Sequence, residues 1–461
     1  MVFSGIPFLF YFLPAALALY YLVPWKLKNL VLLVVSLIFY AWGEPVYILL
    51  MLFSILVDYT AGRVIHRYRG SGISKLALFC SIAANLGLLG FFKYSGFIAQ
   101  NLAAVGIPVS FASLPLPIGI SFYTFQTMSY SIDVYRGTAP VQKNIIAFGA
   151  FVSMFPQLIA GPIVRYSDIA AQLENRRITL DGVGEGAMRF IHGLAKKVLL
   201  ANPIGLCWEA ARGGADSVMG AWLGIGAFAL QIYFDFSGYS DMALGLGMMF
   251  GFHFHENFDY PYISASIREF WRRWHMSLSG WFKEYLYIPL GGNRRGKFRT
   301  VVNKMIVFVC TGIWHGASFN FLFWGIYHGF FLMLEEYIPF IGKKGGKLKS
   351  FFQHVYALLV VCVGFVFFRA DTMKQGCFWI REMFTDFGWK ASAMSLTLQQ
   401  LTPVYLVTLA AALVAAVPVN SMLKKYKWYE GFTYVLSLAG FALCVLSLAG
   451  GTYNPFIYFR F

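Results

Sequence analysis

Apolar runs long enough to cross a lipid bilayer, separated by short basic clusters, recur from one end of this chain to the other. A helix needs about 20 apolar residues to cross the hydrocarbon core, and lipid cannot satisfy an exposed backbone, so such a chain is confined to bundled helices. With 58% hydrophobic and 13% charged residues over 461 positions, it has room for on the order of 11 to 13 membrane segments in one domain. The expected class is an all-α polytopic membrane protein. The net charge of +16 does not mark a nucleic-acid binder, because the basic residues lie between apolar runs and not on one soluble face; anionic lipid headgroups or an anionic cofactor at the cytoplasmic surface are their expected partners. Cys80, Cys207, Cys310, Cys362, Cys377 and Cys444 show no C-x-x-C spacing, so they read as small buried hydrophobes, with neither a disulfide framework nor a metal site.

The N-terminus, MVFSGIPFLFYFLPAALALYYLVP, lacks a basic leader and a cleavage site and reads as a retained first span. Spans are expected at about residues 7–23, 30–42, 46–61 and 76–92, the last stopping at Lys93 before a shorter apolar piece ending at Ile107. Lys26 and Lys28 follow the first span, only Glu44 the second, and Arg63, Arg67, Arg69 and Lys75 the third. The positive-inside bias then puts the N-terminus outside. Residues 114–137 mix Pro115 and Pro117 with Ser, Thr, Gln and Tyr, so this segment should pack in the interior and wall a cavity. Residues 145–160 read as a further span, and the stretch from Gly161 with Arg165, Arg176 and Arg177 as a solvent-facing loop with a short helix. A helix from about Gly186 carries Arg189, His192, Lys196 and Lys197, suited to headgroups or to phosphate.

The span from Ala229 holds Asp235, Ser237, Tyr239, Ser240 and Asp241 with no basic residue among them. Each aspartate must find a partner elsewhere, be protonated or sit near water, which leaves a helix-to-helix polar contact or a place on a substrate tunnel. Gly238, Gly245 and Gly247 allow close helix approach. HFHENFDYPY from His253 has no zinc-site spacing and reads as a surface connector. Residues 1–107 thus form N-terminal spans, 108–338 a core region, and 339–461 C-terminal spans. The last part comprises a basic loop from Lys343, spans at 351–368, 401–417 and 432–448, and a surface helix within 369–390. No internal repeat is evident, which counts against an inverted-repeat transporter.

The stretch from Arg268 to His328 is the most informative. Ser266 and Glu269 fit a capping box that starts a helix. Ile267, Phe270, Trp271, Trp274, Leu278, Trp281, Phe282, Tyr285 and Leu286 form one apolar stripe, with Arg268, Arg272, His275, Ser279 and Lys283 on another face. Such a helix lies in the membrane interface, and its arginines suit a phosphate-bearing ligand. GGNRRGKFRT after Pro289 is basic but lacks the P-loop pattern. The next apolar run delivers Trp314, His315 and Gly316, with Gly312 four residues back to admit a neighbouring helix. His315 is either a hydrogen-bonding core residue or a functional group. Ser318 has no nucleophile elbow around it, and His328 is a weaker candidate one span on.

The strings REFWRRWHMSLSGWF, YIPLGGNRRG and GIWHGASFNFLFWGIYHG, together with YFDFSGYSDMALGLG, FPQLIAGPIVRY and NPFIYFRF, resemble the membrane-bound O-acyltransferase (MBOAT) family. The resemblance implies a ring of tilted transmembrane helices around a central cavity or tunnel, with interfacial amphipathic helices. In that family the essential histidine lies in the W-H-G string, here His315; the position after F-W-x-x-W is Asn, Asp or His, here His275. It also implies acyl-CoA, here acetyl-CoA, as donor and no permanently bound cofactor. A hydroxyl attacking a thioester must lose its proton, which suits a neutral imidazole, so His315 reads as general base, with a covalent acyl-imidazole left open. His275 would orient the thioester or stabilise the oxyanion. Arg272 and Arg273, flanked by Trp271 and Trp274, would meet the CoA phosphates, and Asp235, Ser237, Tyr239, Asp241, Trp314, Ser318, Asn320 and His328 would line the tunnel. The resemblance further implies the bacterial inner membrane, an extracytoplasmic carbohydrate acceptor and an SGNH-type acetyltransferase partner. D-alanyl transfer to teichoic acid and flipping of a lipid-linked sugar are the competing readings.

Overall fold

The computed structural model describes residues 2–107, 109, 114–212, 217–338, 345–385, 387, 399–451 and 455–457, and no strand occurs among them. Six helices are long and apolar enough to cross a membrane: Trp25–Gly43, Ile48–Arg67, Gly72–Ala104, Val218–Met249, Lys347–Arg369 and Tyr429–Gly450. Two further apolar helices, Phe8–Leu22 and Pro403–Ala415, are shorter. The protein is a multi-pass, all-helical membrane protein. Other helices fall below the six in apolarity because function and packing demand charge: Gly296–His315 carries Lys297, Arg299 and Lys304, and Phe319–Tyr337 ends on Glu335 and Glu336.

Two expected boundaries move. The helix expected to stop at Lys93 continues as one 33-residue element, Gly72–Ala104, about 50 Å long at 1.5 Å per residue. A single lysine does not end a helix, and here its ammonium donates to the Ser121 hydroxyl inside the unit at 3.4 Å. The span expected at 145–160 is instead two short helices, Ile145–Ser153 and Phe155–Leu158, with Met154 turned out of helical conformation at ψ 106°. Pro156 is the cause, since its ring would clash with the carbonyl four residues back in an unbroken helix. The Phe155 N–H donates instead to the Ser36 hydroxyl at 3.1 Å.

The chain divides into two compact units, Met1–Ile191 with Tyr239–His255, and His192–Gly238 with Glu256–Phe461. In the first, the polar segment Ile120–Arg136 packs inside as expected: every residue from Ile120 to Ser131 is buried. Asp58 on Ile48–Arg67 accepts from Ser81 and Asn85 on Gly72–Ala104 and from Ser131, each at 2.6 Å. One buried carboxylate thereby ties three helices together. Arg176, expected in a solvent-facing loop, is buried; it donates to the Tyr20 hydroxyl and Asn29 Oδ1, both at 2.8 Å, and lies over the Phe252 ring. Asp241 pairs with Arg189 at 2.9 Å and Tyr239 stacks on Phe3 at 4.8 Å. A Cβ on Gly245 would overlap the Gly186 carbonyl, and one on Gly247 would meet the Phe254 ring, so these glycines do set close approaches.

In the second unit Lys197 corrects its assignment to headgroups or phosphate. It is buried and pairs with Asp235 at 2.5 Å, with side chains 2% and 3% exposed. The helical stretch containing it, Lys196–Ala201, meets the Val218–Met249 helix where a Cβ on Gly238 would lie 3.3 Å from the Lys197 backbone nitrogen. The carboxylate also accepts from the Ile457 N–H at 2.8 Å, while the ammonium donates to the Pro455 carbonyl at 3.1 Å and sits over the Phe456 ring. The expected surface helix within 369–390 is Met373–Thr385, with Trp379 and Met383 buried. Lys343, Lys344 and Lys390 lie outside the described residues.

Candidate active site

The site lies in the second unit and begins with a helix start. Ser266 Oγ accepts from the Glu269 N–H at 3.0 Å, as the capping pattern predicts, while the Glu269 carboxylate reaches the Ala265 N–H, one residue earlier than a reciprocal box requires. The Ile267 and Arg268 N–H groups donate to the Glu335 carboxylate at 2.5 and 3.0 Å. Glu336 accepts from Arg268 and Lys304, both at 2.6 Å. The end of the Phe319–Tyr337 helix therefore fixes where the Ile267–Arg273 helix starts, and two turns before that end His328 meets the Trp271 ring at 5.2 Å.

The apolar stripe does not continue as one helix. The chain forms Ile267–Arg273 and Met276–Phe282, broken at His275, whose backbone is left-handed at φ 46° and ψ 53°. This corrects the placement of His275 on an exposed polar face: it is 1% exposed. A side chain outside the helix drives the break. Asn257 Oδ1 accepts from the Ser277 N–H at 3.2 Å, the Ser277 hydroxyl at 2.9 Å and His275 Nδ1 at 3.2 Å, and its carbonyl takes the Met276 N–H at 3.0 Å. Asn257 thus caps the second helix from the preceding connector. That connector is exposed at His253, His255, Glu256 and Asp259, as expected of a surface feature, but Asn257 within it is buried.

Because Asn257 Oδ1 can only accept, its hydrogen bond with His275 places the ring proton on Nδ1 and leaves Nε2 unprotonated. His275 lies outside the six membrane-spanning helices, and burial pushes its imidazole down to about 3, so it is neutral at pH 7. Its ring packs edge-on to Phe236 at 4.7 Å.

His315 closes the Gly296–His315 helix, with Gly316 extended after it. It is buried between Trp314, Trp324 and Phe368, whose ring centres lie 5.0, 5.1 and 5.2 Å away. A Cβ on Gly312 would overlap the Phe321 carbonyl, and one on Gly316 the Phe321 ring. These glycines let the Phe319–Tyr337 helix close over the histidine, as their spacing predicts. Trp314 joins the two centres, its ring 6.2 Å from His275 and 5.0 Å from His315.

His275, His315, Trp314, Trp271, Trp274 and His328 therefore share one aromatic assembly, all of them buried. Asn320 is tied to the Ala370 carbonyl at 2.5 Å and Ser318 precedes its helix as the N-cap residue. Arg272 is exposed, whereas Arg273 is engaged by Asp259 at 2.7 Å and Glu269 at 3.1 Å. Asp235 is held by Lys197, Ser237 is buried, and Tyr239 and Asp241 lie in the other unit. Asn257, Trp324 and Glu335 are positioning groups that spacing alone did not single out.

The family model for MBOAT, the membrane-bound O-acyltransferase family, matches residues 136–368, which contain both histidines and the aromatic assembly. The chain belongs to the membrane-bound O-acyltransferase family. It is an O-acyltransferase. It is 40% identical to a probable alginate O-acetylase AlgI of Pseudomonas putida across the full length of both chains. It is 34% identical to a peptidoglycan O-acetyltransferase of Helicobacter pylori, over 81% of this chain and 78% of that one. A teichoic acid D-alanyltransferase of Bacillus subtilis is 27% identical over 54% of this chain and 68% of its own length.

Proposed function

We propose that this protein moves an acetyl group from cytoplasmic acetyl-CoA across a bacterial inner membrane for O-acetylation of an extracytoplasmic polysaccharide, handing it on through an SGNH-type acetyltransferase. The observation that carries the reading is full-length likeness to an alginate O-acetylase, joined to His315 buried in an aromatic box. The basic residues after the first and third spans favour an extracytoplasmic N-terminus.

In this reading His315 takes the proton from the attacking hydroxyl as its oxygen bonds to the acyl carbon. The C–S bond then breaks, and the departing thiolate receives that proton. Aromatic walls exclude water that would hydrolyse the thioester. His275, neutral and donating to Asn257, serves through the Nε2 lone pair and through its place beside Trp314. It orients a donor and does not supply an N–H to an oxyanion. Arg272, the exposed member of the arginine pair, is left to meet the CoA phosphates, since two carboxylates occupy the fork of Arg273. Buried Asp235, Ser237 and Asn320, with half-buried Ser318, support the path.

Purified protein in liposomes, given labelled acetyl-CoA, a carrier-protein D-alanyl thioester or a polysaccharide acceptor alone, tests the reading. Turnover of acetyl-CoA that is lost in His315→Ala supports it. Turnover of the D-alanyl thioester and not of acetyl-CoA would move the protein to the teichoic acid branch of the family.

A further inference from the structure

Three side chains in one ring cluster, which reaches His315 through Trp324, carry polar atoms that find no hydrogen-bond partner among the described residues: Trp271 Nε1, Trp324 Nε1 and His328 Nδ1. Their residues are 8%, 2% and 1% exposed. The rings pack on one another edge to face, with centres 5.6 Å apart for Trp271 and Trp324, 5.2 Å for Trp271 and His328, and 5.0 Å for Trp324 and His328. Trp324 lies 5.1 Å from His315. The Lys347–Arg369 helix makes room for the group by leaving Gly364 without a side chain, since a Cβ there would lie 2.6 Å from His328 Nε2.

Each buried donor left unmade costs about 1–3 kcal/mol, and native interiors carry few of them. Two indole donors on contiguous rings, with an imidazole nitrogen whose role follows its tautomer, call for a partner. An indole N–H can only donate, so that partner must be an acceptor. The rings around the cluster, Phe308, Tyr327 and Phe368, are uncharged, which suits an oxygen whose charge is transient and not a permanent anion. His275 does not fill this role, because its N–H is committed to Asn257.

We propose that the indole N–H groups of Trp271 and Trp324, with His328 beside them, bind the carbonyl oxygen of the acyl donor. The proposal rests on His315 as the base. When the acceptor's hydroxyl oxygen bonds to the acyl carbon and its proton passes to His315, the carbonyl π pair moves onto the carbonyl oxygen, and the two N–H groups stabilise the charge there. The pair then returns, the C–S bond breaks, and sulfur leaves as thiolate to take the proton held by His315. Donors placed for charge that develops only in the transition state raise kcat and leave binding nearly unchanged.

The test compares Trp271→Phe, Trp324→Phe and His315→Ala in liposomes with acetyl-CoA carrying a 13C carbonyl, each first checked for monodisperse folding. Each Trp→Phe variant is expected to lower kcat about 10²- to 10³-fold with KM within a few-fold. Independently of any tryptophan variant, the labelled carbonyl stretch of donor bound to folded His315→Ala protein should shift to lower wavenumber than in solution. An unshifted stretch overturns the proposal. So does wild-type kcat in both tryptophan variants, which would mean that the cluster holds water only. If His315→Ala itself transfers at the wild-type rate, the base assignment fails; if it is dead while both Trp→Phe variants are fully active, the acyl-oxygen site alone fails.

Discussion

Lys197→Met is a perturbation whose cost follows from geometry. Lys197 and Asp235 are 2% and 3% exposed and 2.5 Å apart. Removing the ammonium leaves a buried carboxylate with the Ile457 N–H at 2.8 Å as its remaining described donor. Breaking a buried ion pair from one side costs about 3–5 kcal/mol, because the remaining charge is desolvated and uncompensated. Replacing both partners by apolar residues of similar size is far milder, so Lys197→Met/Asp235→Leu should recover most of that loss. The assay is an equilibrium detergent-denaturation titration followed by tryptophan fluorescence, run as a double-mutant cycle. Lys197→Met as stable as wild type, or a double variant no better than either single one, would refute the buried pair. A lysine that instead contacted headgroups would respond to the anionic lipid content and not to Asp235.

His275→Asn should keep the fold, since asparagine tolerates the left-handed backbone at this position, whereas His275→Val should lose it. The depressed imidazole also gives a pH signature. The unfolded histidine binds a proton below about 6.5 while the buried one resists to about 3, so its contribution is full above about 6.5 and is lost as pH falls through this window. His275→Asn should therefore lose less stability than wild type between pH 6.5 and 4 in acid titrations; parallel loss would exclude His275 as the group responsible. Gly312→Ala should destabilise by about 1–3 kcal/mol, because its Cβ would overlap the Phe321 carbonyl. Gly280→Ala, with nothing within 4 Å of its Cβ, should be neutral or stabilising by the same titration.

Much of this architecture could be read from local pattern. Ser266 marks its helix start, Gly312 and Gly316 mark a close helix crossing, and the polar run from Ile120 announces an interior element. Pro156 was a legible break within an apolar run whose hydrophobicity masked it. The kink at His275 had no local mark. The stripe from Ile267 to Phe282 satisfies helical spacing throughout, and the group that breaks it, Asn257, lies 18 residues earlier. The aspartates show the same limit. Their need for partners follows from chemistry, but Lys197 and Arg189, 38 and 52 residues away, are chosen by tertiary packing. Trp324 and Glu335 likewise read as ordinary helix residues until the Ile267–Arg273 helix is seen docked on them.

The central claim is that His315 performs acyl transfer from within a buried aromatic centre. The most direct measurement is the transfer rate in liposomes with labelled acetyl-CoA on one side and acceptor on the other, for wild type and folded His315→Gln protein at matched donor binding. The account predicts transfer by wild type and a loss of about 10²- to 10⁴-fold in the variant. A His315→Gln protein that binds donor and transfers at the wild-type rate would contradict it.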